Sequence, residues 1–356
     1  MWMHSPFVDL ALIGYSWVPL YLVYAFLALA LPGFVCDAES QLACPAAVQA
    51  LIALTLFVNR MHRHYSLGLA YGDREVFARH RAIFVWTPVV ALLLVAPGVA
   101  YHALPYGSAR TALVAFYSLV TAVSGVWQVY HTIMQKYGFL RIYSSKLGHG
   151  EARVERHLFF SWLAVVIAGS AFRYAGMGAR IISYGPPEIQ FLTRWLPYLK
   201  PASLALLAPA LGYAGWFTWK WLSCELENYR PESIPKLLFA LSVALIMACF
   251  AHSLLVGVLV LGFSHAFEYS VFVNVYAQRK YGVKLGATFL GNALLVALML
   301  GLTNVFAHGS VRPWGLLIAY AVFTGLLHFL YDGLLWKVSR GKILLLAIAS
   351  CAALSA

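Results

Sequence analysis

Apolar residues run along this chain in long stretches separated by short polar ones. Windows rich in Leu, Ala, Val, Phe and Ile occupy 7–35, 45–59, 82–102, 111–134, 158–176, 201–222, 237–251, 254–276, 285–306 and 314–336. A helix needs about 20 apolar residues to cross a hydrocarbon layer of roughly 30 Å. The pattern therefore predicts an all-α, polytopic integral membrane helical bundle of about ten transmembrane helices, with residues 1–356 forming a single transmembrane domain with short loops. Pro88 and Pro209 fall inside windows, which membrane helices tolerate when neighbours satisfy the freed backbone groups. Stretch 237–276 carries no polar turn, and its division into two spans rests on orientation parity alone. The run 343–356 is short enough to be interfacial, and 181–200, with Gly185-Pro186-Pro187, reads as an interfacial segment or loop. The run 7–35 is too long for the apolar core of a signal peptide and reads as the first span.

Composition strengthens this picture. With 62% hydrophobic and 11% charged residues, the chain lacks the polar surface to coat a water-soluble globule. The formal charge of +12 does not gather on a soluble scaffold as a nucleic-acid footprint would, so no nucleic-acid partner is expected. Lys and Arg fall instead near 60–81, 136–157, 278–284 and 337–342, read as basic cytoplasmic loops under the positive-inside rule. Placing all four on one side gives a consistent alternation of spans in a cytoplasmic-type membrane. Cys36 and Cys44 share a short acidic loop on the other side, where a disulfide and two free thiols are both open readings. Gln135-Lys136-Tyr137-Gly138 and Gln278-Arg279-Lys280-Tyr281-Gly282 look alike, and each reads as a basic helix end with a Gly cap.

The polar residues inside the spans carry the chemistry. Ionisable groups in a membrane are costly and by default mark function. The chain has 12 His. His102, His252 and His308 lie at outer span ends and read as interfacial, while His4 and His149 are terminal or in a loop. Others converge on the cytoplasmic half. His131 and Gln135 share a helix face at i,i+4, His265 and Glu268 pair at i,i+3, and His328 and Asp332 pair at i,i+4. His62 and His64 stand where the second span meets a basic segment; at i,i+2 they join one centre only if the helix unwinds, or they serve two metals. His80 with Asp73 and Glu75, and His157, form a second tier. The bland reading of any single pair is a buried hydrogen bond that fixes helix packing. Together the residues point to a metal site of His62, His64, His131, Gln135, His265, Glu268, His328 and Asp332, flanked by Tyr65, Tyr130, Tyr269 and Tyr331. Imidazole-rich ligation favours iron, zinc, copper or manganese.

In the type and placement of these residues the chain resembles the histidine-rich integral-membrane non-heme iron enzymes, such as fatty-acid desaturases, alkyl hydroxylases and carotene-cleaving dioxygenases. The His-x-x-x-His and His-x-x-His-His boxes of desaturases do not occur in it. The resemblance implies one or two non-heme irons, dioxygen chemistry on a lipid or other hydrophobic substrate at the cytoplasmic side, and an acidic electron-transfer protein docking on the basic loops. A transporter or channel for a metal ion, proton or small solute would use the same polar residues, and a heme protein is a further alternative.

Overall fold

The computed structural model describes residues 2–31, 45–174, 187–306 and 313–336, and among them every regular element is helical. A π-helical stretch, Val8–Gly14, leads into α1 (Val18–Ala30). There follow α2 (Ala46–Gly72), α3 (Arg74–Arg79), α4 (Arg81–Val95), α5 (Pro97–Ala100), α6 (Ser108–Leu147) and α7 (Ala152–Arg173). A 3-10 helix, Pro187–Trp195, opens the second half, followed by α8 (Leu196–Glu227), α9 (Ile234–His252), α10 (Leu254–Tyr281), α11 (Leu285–Phe306) and α12 (Pro313–Leu335).

Among the described residues, six helical stretches are long and apolar enough to cross a membrane, or seven if Val8–Gly14 and α1, bent by 54°, form one span. Helices α2, α8 and α11 occupy three further apolar windows without reaching that standard. Large apolar side chains stand exposed along these helices, among them Phe26, Leu29, Trp86, Leu93 and Leu119. Apolar surface on this scale requires lipid rather than water around it, as in a multi-pass membrane protein.

Packing divides the chain into two compact units. The first comprises Met1–His62 and Val129–Leu294, the second Arg63–Gln128 and Leu295–Ala356. In the first, α7 lies along α8, α9 packs on α10 and α7, and the π-helical stretch rests on α9 and α10. One core gathers Ile13, Ile133, Leu140, Phe159, Phe239 and Val243, and a second gathers Trp17, Tyr24, Val48, Ile246, Val256 and Leu259. In the second unit α12 packs on α4 and α5 around Phe84, Ala91, Leu327 and Tyr331.

Stretch 237–276 does divide in two. Ser253, with extended backbone (φ −154°, ψ 137°), ends α9 and starts α10. A Cβ at Gly257 would run into the ring of Phe250, so glycine lets α10 leave the turn at close range. The two similar segments 135–138 and 278–282 adopt unlike structures. Gly282 is a left-handed cap (φ 68°) closing α10, whereas Gly138 lies inside α6.

The expected basic loops change most. Segment 60–81 is the end of α2 followed by α3, and 136–157 is helical except for the short link between α6 and α7. The apolar windows end earlier than the helices because the polar residues beyond them are packed and paired. Arg63 donates to the Ala321 carbonyl (2.5 Å) and to Gln128 Oε1 (2.7 Å), and Lys136 is 1% exposed inside α6. Segment 187–195 is a 3-10 helix with exposed Phe191 and Trp195. The Cys36 and Cys44 loop, His308, and the segments 181–186 and 337–356 lie outside the described residues.

The first residues are clasped to the first unit. Asp9, buried in the π-helical stretch, accepts from the Met3 and His4 amides and from the Tyr143 hydroxyl (3.1 Å), while Lys146 donates to the carbonyls of Trp2 and Met3. Arg279 Nη2 lies 3.2 Å from His4 Nδ1, and a guanidinium can only donate, so His4 is held neutral. Burial, and then the Arg279 charge, push its pKa below the ordinary imidazole value. The unfolded chain therefore binds that proton at higher pH than the folded one, and stability falls as pH drops through about 6.5 and below. The midpoint of thermal unfolding in detergent is expected to decline between about pH 7 and 5, with a shallower slope in His4→Gln. An identical slope in the variant would refute this assignment.

Candidate metal centre

In the first unit three imidazoles meet. His62 comes from α2, His131 from α6 and His265 from α10. His62 and His265 are fully buried, their ring centroids 4.8 Å apart and nearly perpendicular, and they offer ligand atoms within 4.8 Å of each other. His131 meets His265 from another side, centroid to centroid 5.2 Å at 87°. The ring of Tyr269 stands 5.7 Å from His62, one turn beyond His265 on α10. Gln135 donates to the His265 carbonyl (2.9 Å), so its amide anchors the backbone that carries the central imidazole.

Glu268, expected among the ligands, has a different partner. Lys136 Nζ forms an ion pair with its Oε1, Ser264 donates to the same oxygen (2.6 Å), and Lys136 also reaches Ser264 (2.6 Å). Lys136 and Glu268 are both buried. Glu268 Oε2 has no hydrogen-bond partner among the described residues. In the sequence Lys136 reads as a loop residue because it lies just past the apolar window 111–134. Its place one residue after Gln135, on the helix that carries His131, is the signal that would have found it.

The second unit holds the other expected pair. Ser66 of α2 lies 2.7 Å from His328 Nδ1 and donates to Asp332 Oδ1 (2.6 Å). With the hydroxyl proton spent on the carboxylate, Ser66 accepts from Nδ1–H, which leaves the lone pair of His328 on Nε2. That nitrogen stands 3.6 Å from Asp332 Oδ2. His64 takes another direction from His62, as i,i+2 spacing on an unbroken helix requires. Its Nε2 lies 2.8 Å from the Tyr320 hydroxyl, with the two rings stacked.

The tyrosines also separate. Tyr269 flanks the imidazoles and Tyr65 is buried, but Tyr130 is half-exposed against Phe160, and Tyr331 turns its hydroxyl to Tyr71 (2.7 Å). The second tier has structural partners. Asp73 caps α3 by accepting from the Glu75 and Val76 amides, His80 packs on Phe84, and His157 lies between the Tyr213 hydroxyl and the Phe217 ring.

A second buried charge network in the first unit was not expected. Lys236 Nζ bridges Glu155 and Glu225, Glu155 also accepts from Arg141 and Ser144, and His149 Nε2 meets Glu225 (3.2 Å). Lys236 and Glu155 are fully buried. Glu155 and Lys236 each sit at the edge of an apolar window, where a charged residue reads as a loop residue.

The ion pair on α6 and α10 makes a clear prediction. Removing one member of a buried pair strands the other charge at a cost of about 3–5 kcal/mol, whereas replacing both with apolar groups is close to neutral. Lys136→Met is expected to lower unfolding stability by that amount, and Lys136→Met with Glu268→Leu to recover most of it. If the double variant is as unstable as the single one, the pair is not what Glu268 serves. Searches against protein-family models, curated proteins and solved structures find no match to this chain.

Proposed function

We propose that this chain is a multi-pass membrane protein that binds a transition metal through His62 and His265, with His131 beside them, and uses it in redox chemistry on a hydrophobic substrate. The supporting observation is the pair of fully buried imidazoles from α2 and α10, which offer ligand atoms within 4.8 Å of each other, with the His131 ring of α6 against His265. Gathering several neutral imidazoles is the ordinary way a protein holds iron, zinc or copper, and no thiolate stands in the set.

The donor set fits a metal ion better than a heme. His62 and His265 are nearly perpendicular, with centroids 4.8 Å apart, and leave no gap for a porphyrin between them. It fits one ion better than a carboxylate-bridged pair, because Oε1 of Glu268 is already committed to Lys136 and Ser264. Resemblance to the histidine-rich membrane oxygenases favours iron, and a bound iron would supply dioxygen activation there. The chain's own residues do the rest. Gln135 fixes the segment carrying His265, the Tyr269 ring covers His62, and the apolar packing around α10 keeps bulk water away. Lys136 and Glu268 place an ionisable pair one turn from His265. A lipid or similarly apolar substrate suits a site enclosed by apolar helices.

The buried charges on α6 and α10 favour a second reading, in which the same residues pass a proton or ion. Metal analysis separates the two. Protein purified without added metal is expected to carry stoichiometric iron, or another first-row metal, that disappears in His265→Ala and binds about 10- to 100-fold more weakly in Gln135→Ala. Wild-type protein without stoichiometric metal, or His265→Ala protein that retains it, would overturn the metal reading. Solute or proton flux in proteoliposomes that is lost in Glu268→Gln would then identify a transport pathway.

A further inference from the structure

In the second unit, His328 and Asp332 stand one helical turn apart on α12, at the i,i+4 spacing that puts two side chains on one face. His328 is fully buried and Asp332 is 6% exposed. A carboxylate withdrawn from water to that degree is costly unless positive charge or hydrogen bonds meet it. Ser66 of α2 meets part of the demand. Its hydroxyl donates to Asp332 Oδ1 (2.6 Å) and lies 2.7 Å from His328 Nδ1, so one serine ties down one polar atom of each side chain.

The other two polar atoms approach each other. Nε2 of His328 and Oδ2 of Asp332 are 3.6 Å apart. That is too long for a hydrogen bond, and with the ring proton on Nδ1 both atoms present lone pairs. Two such atoms at this range repel each other, and a cation between them turns the repulsion into ligation. The spacing suits one. Donors each about 2.0–2.2 Å from a shared ion, at a tetrahedral angle, stand about 3.4 Å apart. Ligand pairs at i,i+4 on one helix face grip a metal in the same way elsewhere. Ser66 then acts as the outer hydrogen-bond partner of such a site: it fixes the tautomer that presents Nε2 and holds the carboxylate in place.

We infer that His328 and Asp332 chelate a divalent first-row transition ion through Nε2 and Oδ2, in addition to the ion assigned to His62 and His265. Mixed imidazole and carboxylate ligation suits manganese, iron, cobalt or zinc and gives no grip to a soft ion such as Cu(I). With two protein donors the remaining positions fall to water. The ion is therefore held more loosely than one in a full protein cage, is lost during purification and binds when supplied.

Titration of the whole chain in detergent with Mn2+, the free ion being followed by electron paramagnetic resonance, tests the assignment. His265→Ala protein, in which the first site is disabled, is expected to take up one Mn2+ per chain. Adding His328→Ala or Asp332→Asn is expected to abolish that uptake. Ser66→Ala is expected to weaken it about 10- to 100-fold, and Ser66→Thr, which keeps the hydroxyl, to restore most of the affinity. Wild-type protein is expected to bind one Mn2+ per chain beyond the metal it carries as purified, which gives the reading should His265→Ala fail to fold. No saturable uptake by either protein, or uptake unchanged in both His328→Ala and Asp332→Asn, would overturn the inference. Since His265 is missing from the first protein titrated, wild-type protein purified without iron counts against the first site alone, and a negative titration against this one alone.

Discussion

A carboxylate or ammonium inside a lipid-solvated bundle must meet an opposite charge or enough hydrogen bonds, because water is not there to do so. The first unit is organised by that requirement. Glu268 on α10 meets Lys136 on α6, which sets how those two helices stand against each other. Lys236 at the start of α9 meets Glu155 on α7 and Glu225 on α8, and Arg141 and Ser144 of α6 complete the same network. Asp9 is satisfied differently, by two backbone amides and a phenol, and this fixes the π-helical stretch against α6. Apolar packing between membrane helices is weakly directional, since lipid tails are as apolar as leucine. The charges supply much of the direction. Their demands extend to the backbone: a Cβ at Gly150, where φ is +114°, would stand 2.8 Å from Lys236 Nζ and 2.9 Å from Ser144 Oγ.

This explains what could be read from the sequence. Hydropathy locates helices, and the windows at 82–102, 158–176, 237–251 and 254–276 correspond to α4 with its short extension, α7, α9 and α10. It cannot locate where a helix stops when the next turns are polar but buried. Segments 60–81 and 136–157 looked like loops for that reason and are largely helix. The pairing of His265 with Glu268 illustrates the same limit at the candidate site. Both residues face the interior, as their spacing indicated, but a partner for Glu268 more than a hundred positions away could not be deduced from local spacing. His131 and His265 were singled out from sequence and do meet in the first unit. Spacing alone leaves open whether His62 and His64 act as a pair, and the unbroken helix α2 sends them to different partners.

The two units accommodate their acidic residues by different chemistry, and the difference bears on which side chains remain for function. Glu268 is neutralised by a full positive charge, an arrangement that is costly to disrupt and poorly suited to a ligand that must reorient. Asp332 accepts from the Ser66 hydroxyl, a neutral donor, and Ser66 in turn accepts from His328 Nδ1–H, which fixes the imidazole tautomer. In both units, then, at least one carboxylate oxygen is occupied by the protein itself. A metal reading built on a His-plus-carboxylate set would have to use the carboxylate oxygens those contacts leave over. One built on His62 and His265 leaves the Lys136–Glu268 pair intact and uses donors that bind first-row metals as neutral groups, without a buried charge having to be uncovered.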